Sequence, residues 1–393
     1  MKHFVLKKIR FSMVLNFLFL FLSILDPTRS IFHATEAVML LCYLWNIKKI
    51  DYEYFPAIIF CFAIWFLSLG FSITNQTFDK SREISLLTSY IFLFYLLYQK
   101  NASNKTFYSF YIIGKLMSLI VITLGVLFLL FPSVGEIAIA FFSSDNSTIM
   151  FSSARRVLFI TVISVFYKTS PMIVLLLAYS TAKFFATKKK NYFFDSLLFF
   201  INLFFSATRA NILSAILIIG IVFLAYLFYI KKAKNIFPFF LLAIFIAATA
   251  LVLMLLMQKG EASLNTKKLH QQSILQLLFS NPLRSIFVGY GPGSLFWTAG
   301  WRNYTAQTEL SYLELIRNYG LIGGCGIICV FLSPFIVMLH NRELSSYYKV
   351  SFSIGYLAYL FIAGTNPFLN CATGYLTLSL FFYMSYNNIL KEV

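Results

Sequence analysis

Long apolar runs recur along the whole chain, separated by short polar or basic segments. A helix needs about 20 apolar residues to cross roughly 30 Å of bilayer hydrocarbon. Runs of suitable length and hydropathy lie at 11–25, 31–47, 55–73, 84–98, 107–131, 157–186, 192–207, 210–230, 236–257, 317–339, 350–366 and 372–389. The pattern therefore predicts an all-α, polytopic integral membrane protein with about 12 transmembrane helices.

Two of these runs need separate interpretation. The run at 157–186 is longer than one span requires and carries Lys168, so we expect its first half to be a re-entrant or interfacial segment. The run at 11–25 follows a basic start, as in a signal peptide, but no small-x-small cleavage site comes after it. We therefore expect 11–25 to remain as an uncleaved first helix.

Basic residues test the predicted order of spans, because lysine and arginine collect in short cytoplasmic loops. With a cytoplasmic N-terminus they fall in every second connecting segment, at Lys2, Lys7, Lys8, Arg10, Lys48, Lys49, Lys100, Lys105, Lys188, Lys189, Lys190, Lys231, Lys232, Lys234, Arg342, Lys349 and Lys391. Both termini are thus predicted to be cytoplasmic. The opposite face then holds two long loops, 132–156 and the larger 258–308.

The composition agrees with this interpretation. Of the 393 residues, 60% are hydrophobic and 12% are charged, which is too few charges to cover a soluble globule of this size. The net charge of +18 follows from the loop bias and does not indicate a nucleic-acid partner. We interpret the chain as a single integral membrane domain, 1–393, with the lipid bilayer as its first partner.

Cysteines and histidines predict neither a disulfide framework nor a metal centre. The five cysteines lie in or at the ends of apolar runs and form no paired loop pattern, at Cys42, Cys61, Cys325, Cys329 and Cys371. The four histidines are scattered, at His3, His33, His270 and His340. No His/Cys metal site is therefore expected.

The larger outer loop contains two informative segments. In "SLNTKKLHQQSILQLLFSNP", leucine and isoleucine are set against lysine and glutamine, which predicts a helix lying along the membrane surface and ending at Asn281–Pro282. "VGYGPGS", at 288–294, follows it. Its glycines indicate a turn whose backbone comes close to a ligand or another helix, or else a nest of N–H groups for phosphate.

Arg209 is the most informative basic residue of the outer face. It lies in "FFSATRANILSAIL", in a short turn between two runs, with Asn202 and Ser206 on the same helical face. A polar stripe inside a bilayer is costly unless it faces a wet cavity or a partner, which favours a functional role over a snorkelling arginine. Arg155 and Arg156, in "SSARRVLF", fit either a lipid-headgroup anchor or a ligand site.

Two outer carboxylates are candidates for chemistry. Glu36 lies three residues from His33 at the outer end of the second run, where it is either a site residue or half of a buried pair that holds helices together. Glu309 stands at the first turn of a predicted helix. There it fits either a favourable charge at a helix N-terminus or a carboxylate that faces an outer cavity.

Further charges lie within the apolar runs. In "SYLELIRNYGLIGG", Glu314 and Arg317 are three residues apart and can pair, and Gly320 and the glycines after it allow another helix to approach. The stretch is expected to place a carboxylate and an arginine at the floor of an outer site. Lys115 and Asp195 lie near predicted cytoplasmic ends, where snorkelling explains their charges.

Four segments together resemble a known family. "NPLRSIFVGYGPGSLF", "TELSYLELIRNYGLIGG", "SATRANILSAIL" and "GTNPFLNCATGYLTLSLFF" are similar to those of the Wzy-type O-antigen polymerases and, more distantly, the O-antigen ligases of Gram-negative envelopes. In topology the resemblance covers the whole chain. In residues it lies mainly in 202–215 and 281–374.

The resemblance implies a membrane glycosyltransferase. Such polymerases transfer a growing glycan from undecaprenyl pyrophosphate onto a newly flipped, lipid-linked repeat unit at the periplasmic face of the inner membrane, where the outer loops would lie. A flippase and a chain-length regulator are implied as partner proteins. The ligases commonly carry a histidine where this chain has Thr308–Glu309, a departure that argues for a polymerase.

The resemblance also implies roles for individual residues. Arg209 matches an arginine expected to bind the donor pyrophosphate, and Arg284 with Gly300 fits an arginine-x15-glycine motif of some polymerases. The further candidates for substrate binding are Arg155, Arg156, Arg302 and Asn202.

The residue types suit this chemistry. Arginines that neutralise the leaving pyrophosphate would lower the barrier, so we expect no metal or other cofactor. A carboxylate near the acceptor hydroxyl could act as general base, with Glu309 the first candidate and Glu36 the second. Trp297, Trp301 and Tyr304 could stack on sugar rings, or could simply be interfacial aromatic residues.

A flippase or another secondary transporter is the alternative from a different class, since about 12 spans with embedded charges fit it as well. A transporter of that kind predicts two similar halves. The chain shows no such repeat, because the loop 258–308 has no counterpart in the first half.

Overall fold

The computed structural model describes residues 2–25, 54–73, 78–90, 92–94, 99–142, 149–157, 160–232 and 261–386. Their α-helices, numbered in chain order, are α1 Lys2–Leu25, α2 Phe55–Ile73, α3 Lys80–Tyr90, α4 Gln99–Leu130, α5 Pro132–Phe142, α6 Ile173–Thr187, α7 Lys190–Phe205, α8 Arg209–Ala225, α9 Glu261–Ser280, α10 Pro282–Phe287, α11 Ser311–His340, α12 Ser346–Gly364 and α13 Ala372–Tyr386. A 3-10 turn, Ser170–Met172, precedes α6, and a π-helical turn, Tyr226–Ile230, continues α8.

Five of the described helical segments are long and apolar enough to cross a membrane. They are Phe55–Ile73, Thr106–Leu130, Ser170–Thr187, Arg209–Ile230 and Ser311–His340. Large apolar side chains such as Phe66, Leu130 and Ile336 are exposed on them, as expected of surfaces that face lipid. The chain is therefore a mainly α-helical, membrane-embedded protein.

Several predicted spans have close counterparts among these helices. The run at 55–73 coincides with α2, and the run at 192–207 is α7 within two residues. The run at 84–98 begins earlier than predicted, because α3 covers Lys80–Tyr90. The runs at 31–47 and 236–257 lie outside the described residues, so the count of about 12 spans stays a prediction.

The run at 157–186 is not one helix. Strand β1, Ile149–Val157, pairs antiparallel with β2, Ile160–Tyr167, and α6 begins only at Ile173. The segment "ITVISVFY" is rich in β-branched and aromatic residues, which favour a strand. Pro171 lies in the 3-10 turn that leads into α6, where its missing N–H costs nothing. The first half is thus a β-strand and does not continue α6.

The second hairpin lies in the loop 258–308. Strand β3, Phe296–Thr298, pairs antiparallel with β4, Asn303–Thr305. These two short hairpins are small exceptions in a described structure that is otherwise helical, in agreement with the predicted all-α class.

Helix α6 lies at the centre of the bundle, packed by α7, α8 and α12. A Cβ at Gly355 in α12 would lie 2.6 Å from the Cβ of Ala178, so glycine allows the two helices to touch. Buried tyrosines bond to carbonyls of neighbouring helices, as when Tyr347 Oη donates to Ala182 O at 2.9 Å. Each such bond satisfies a hydroxyl that would otherwise be unpaired in an apolar core.

Lys115 and Asp195 form an ion pair of 2.7 Å between α4 and α7. Tyr111 donates a hydrogen bond to the same carboxylate. The two charges therefore join helices, in place of the separate snorkelling expected from sequence.

Candidate functional site

The beginning of α11 is held by the predicted pair of Glu314 and Arg317. Glu314 Oε1 accepts hydrogen bonds from the backbone N–H and the hydroxyl of Thr308, at 2.9 and 2.8 Å. Its Oε2 accepts from Arg317 Nε at 2.9 Å, and both side chains are buried. The predicted pairing is confirmed, and it satisfies backbone groups just before the helix.

Arg317 is occupied by contacts within the protein. Its Nη1 donates to the carbonyl and hydroxyl of Ser294, and its Nη2 donates to Ala306 O at 2.6 Å. Its guanidinium lies over the ring of Phe296, 4.5 Å from the centroid. The expectation that this arginine lies at the floor of an outer site is wrong, because Arg317 is fully buried and joins the loop 258–308 to α11.

The glycine turn, defined here as residues 289–293, packs against α11 and α2. Gly289 and Gly291 have φ values of 73° and 85°, which favour glycine. A Cβ at Gly289 would lie 2.4 Å from Gly320 N, and one at Gly291 would lie 2.6 Å from Ser72 Cβ. The prediction of a close approach to another helix is confirmed.

The N–H groups of the glycine turn are not free for an anion. Tyr290 N donates to Arg317 O at 2.8 Å, and Gly291 N donates to Asn318 O at 2.9 Å. Those carbonyls are available because Gly320, with φ 74°, interrupts the helical backbone of α11. Gly293 N donates to Glu83 Oε1, which excludes the alternative of a phosphate-binding nest.

The start of α3 is fixed against the other end of this turn. Asp79 N donates to Gly293 O at 2.8 Å, and Asp79 Oδ1 accepts from Ser81 N and Arg82 N as a helix cap. Glu83 accepts from Trp65 Nε1 in addition to Gly293 N. The carboxylates of Asp79 and Glu83 thus fix the start of α3 and its contact with the glycine turn.

Arg284 and Gly300 make different contacts in the outer loop. Arg284 Nε donates to Gly289 O at 3.0 Å, and its guanidinium lies 4.6 Å from the ring centroid of Tyr290. A Cβ at Gly300 would lie 2.5 Å from Cε1 of His270, so this glycine serves the packing of the imidazole. The arginine-x15-glycine spacing therefore combines two separate structural requirements.

Glu309 lies two residues before α11 and forms a 3.2 Å ion pair with Lys267 of α9. It is 38% exposed, and Lys267 also donates to Thr365 O beyond α12. Glu309 therefore lies outside the Glu314–Arg317 contacts, as predicted. It is not part of the first helical turn, in contrast to the prediction.

His270 lies close to this carboxylate and was not predicted as a site residue. Its Nδ1 shares a 2.5 Å hydrogen bond with Thr298 Oγ1, and its ring meets Trp301 edge-on at 4.6 Å. Burial lowers the pKa of His270, an effect that the negative charge of Glu309 opposes. A single histidine in an amphipathic helix gave no pattern from which this position could be found.

Arg209 is the first residue of α8 and is exposed. Thr208, before it, makes no side-chain capping bond, and Ala207 has a φ of 48°. Among the described residues, no carboxylate pairs with the guanidinium. The turn therefore presents an arginine together with the N-terminal N–H groups of a helix.

Asn202 lies in the protein interior below this turn. Its Nδ2 donates to Ser118 Oγ at 2.7 Å and to Tyr167 Oη at 3.2 Å. Asn211 Nδ2 donates to Ser206 Oγ at 2.9 Å, and Asn202 is fully buried. The polar stripe predicted from sequence thus forms a buried hydrogen-bonded floor, which is distinct from the surface of the turn.

The remaining candidates are spread over the molecule. Arg302, with φ 53°, is exposed between β3 and β4, beside exposed Trp297 and Tyr304, whose rings are 5.5 Å apart. The backbones of Arg155 and Arg156 lie in β1, opposite Val162 and Thr161. Glu36 and the side chains of Arg155 and Arg156 lie outside the described residues.

No model of a known protein family matches the chain, and no curated protein is detectably similar to it. Within the described part of the chain, no group of three or more His, Cys, Asp or Glu side chains could hold a metal ion.

Proposed function

We propose that the chain is a Wzy-type O-antigen polymerase of a bacterial inner membrane. It transfers a growing glycan from undecaprenyl pyrophosphate onto a new lipid-linked repeat unit at the periplasmic face. The proposal includes about 12 spans, both termini in the cytoplasm and the loops 132–156 and 258–308 in the periplasm. It is supported by the sequence resemblance and by the surroundings of Arg209.

The exposure of Arg209 at the start of α8 is the observation that carries the proposal. A positive side chain at a helix N-terminus opposes the helix dipole, so the position is unfavourable without an anion. A pyrophosphate would be bound there by the planar guanidinium and by the free N–H groups of the first turn. It would leave as an anion when the glycosidic bond breaks, and the same contacts would stabilise that developing charge.

Glu309 is the proposed general base. In the transfer, a hydroxyl oxygen of the acceptor sugar attacks the anomeric carbon as its bond to the pyrophosphate oxygen breaks. The hydroxyl proton passes to a carboxylate, and the ion pair with Lys267 orients Glu309 for that step. Trp297 and Tyr304 provide exposed rings on which an acceptor sugar could stack.

A deletion strain analysed on a lipopolysaccharide gel tests this proposal. Loss of the polymer ladder with retention of core bearing one repeat unit is expected for a polymerase. Loss of every O-antigen band would instead indicate a ligase or a flippase and would refute the proposal. Complementation with the wild-type chain must restore the ladder.

A further inference from the structure

Large apolar side chains are exposed where α9 ends and α10 follows. Phe279 is 76% exposed, Leu283 is 72% exposed and Phe287 is 62% exposed, and Ile286 is also exposed. The four side chains lie within residues 279–287, a segment called the apolar tip below. A contiguous apolar patch on a protein surface indicates a contact with another apolar surface.

The polar side chains of α10 are turned towards the protein. Ser285 is buried, and its hydroxyl donates to Leu278 O at 2.7 Å. Arg284 Nε donates to Gly289 O at 3.0 Å, and its guanidinium lies over the ring of Tyr290. The single charge of α10 is therefore held against the glycine turn, on the side away from the exposed apolar residues.

The middle of α9 has a different environment from its end. Ile274 is fully buried, and Ser273 Oγ accepts a hydrogen bond from Ala299 N, which follows β3. His270, one turn earlier, is bonded to Thr298 in the same strand. The middle of α9 is thus covered by the protein, so the contact with an apolar partner is left to the apolar tip.

Two contacts place α10 against helices that are suited to a membrane. The guanidinium of Arg284 lies 5.9 Å from the ring centroid of Phe71, in the last turn of α2. A Cβ at Gly320 of α11 would lie 2.9 Å from the carbonyl carbon of Phe287. The tip therefore lies beside the end of α2 and the early part of α11.

The exposed apolar surface continues from the tip onto both helices. Phe71 and Ile73 are exposed on α2, and Leu321 and Ile322 are exposed on α11. Both helices are long and apolar enough to cross a membrane, so these side chains are expected to face lipid. A helix of six residues rises only about 9 Å, so α10 can enter one leaflet but cannot cross the bilayer.

We propose that the apolar tip inserts into the acyl chains of the adjacent membrane leaflet and anchors the loop 258–308 to the lipid. Insertion removes the exposed side chains from water, which is the driving force for interfacial helices. The glycine turn that follows the tip is bonded to the carbonyls of Arg317 and Asn318, so the same anchor holds the start of α11 at the lipid surface. The proposal does not rest on the proposed function.

Photolabelling of the wild-type chain tests the insertion. The full chain is placed in vesicles of phosphatidylcholine that carries a diazirine within one acyl chain, and labelled sites are mapped by peptide mass spectrometry. We expect labels on residues 279–287 and on Leu321 and Ile322, and none on Gln271 and Gln272, which are exposed on α9. Labels on Leu321 and Ile322 without labels on the tip would overturn the proposal.

A water-soluble carbene reagent provides the reciprocal measurement. In the same vesicles it should label Gln271 and Gln272 and leave the tip unlabelled. Strong labelling of the tip from water would show that the tip stands clear of the bilayer, contrary to the proposal. A second copy of the chain is the other apolar surface to test. Chain-to-chain cross-links at 279–287, with loss of the lipid label as protein density rises, would assign the tip to a dimer and refute the insertion.

Leu283→Asp tests whether an apolar side chain is required. A carboxylate is costly in hydrocarbon, so lipid labelling of the tip should fall by roughly fivefold or more, with labelling of Leu321 and Ile322 unchanged. Gln272→Asp, the matched control at an exposed polar position of α9, should change neither. Full labelling of the tip in Leu283→Asp would contradict the proposal. The photolabelling of the wild-type chain decides the question even if this variant fails to fold.

Discussion

The beginning of α11 and the beginning of α8 each carry an arginine, and the protein uses the two side chains in opposite ways. Arg317 is fully buried and bonded to Glu314, Ser294 and Ala306. Arg209 is exposed and has no ion-pair partner among the described residues. Arg317 is therefore part of the architecture, whereas the exposed guanidinium of Arg209 is free to bind an anion.

The difference predicts which substitutions damage the fold and which damage only the reaction. The largest effect is expected from Arg317→Met. It leaves the carboxylate of Glu314 buried without its partner and removes three contacts to the outer loop, a loss of about 3–5 kcal/mol in folding free energy. Membrane abundance and the thermal unfolding midpoint should both fall sharply. Normal abundance would contradict the architectural role.

Arg209→Ala should give the next largest effect, on polymerisation alone. Loss of a charge-assisted contact that strengthens in the transition state should reduce chain extension by well over tenfold. Arg209→Lys should retain little activity, because lysine lacks the planar fork. The readout is the lipopolysaccharide ladder at matched membrane levels, with core bearing a single repeat unit expected.

Lys190→Ala is the matched control for that experiment, since Lys190 is also an exposed basic residue that begins a helix. It should leave the ladder unchanged. An unchanged ladder from Arg209→Ala would return Arg209 to the role of a headgroup anchor.

Glu309 is intermediate between these two arginines, because it forms an ion pair with Lys267 but is still 38% exposed. Glu309→Gln keeps the shape and removes the proposed base, so polymerisation should fall about 100-fold with normal abundance. Lys267→Gln should cost less, because it disturbs the carboxylate without removing it. Equal polymer from wild type and Glu309→Gln in the gel assay would leave Glu309 only its ion-pair role.

The smallest expected effect concerns acid stability near His270. Because burial lowers its pKa, the unfolded chain takes up a proton below pH 6.5 that the folded imidazole does not. Stability should therefore fall as the pH drops through that range. His270→Gln should reduce the difference in unfolding midpoint between pH 7.5 and 5.5, and His340→Gln, at an exposed site, should not. An identical pH dependence in both variants would argue against the shift.

Local patterns were sufficient for part of this structure. The helix at 55–73 has the predicted bounds, and α9 ends at Ser280, immediately before Asn281–Pro282. The Glu314–Arg317 pair followed from a spacing of three residues. Each of these features depends on neighbours within about one helical turn.

Features that depend on distant partners were missed. Gly293 N bonds to a carboxylate 210 positions away, and nothing near Arg82 in the sequence shows which charges surround it. The segment at 160–167 was predicted to be part of an apolar span. Hydropathy alone does not show that the preceding segment, 149–157, is a strand that pairs with it. Whether an arginine is buried and fully hydrogen-bonded, like Arg317, or exposed, like Arg209, likewise depends on tertiary contacts.

The interruption at Gly320 has a mechanical consequence. Before it, the carbonyls of Arg317 and Asn318 accept hydrogen bonds from the glycine turn, and after it α11 continues as an apolar helix to His340. A helix in a bilayer tilts as membrane thickness changes. Because Gly320 breaks the helical backbone, the part of α11 that carries Arg317 and the part that follows it need not share one axis.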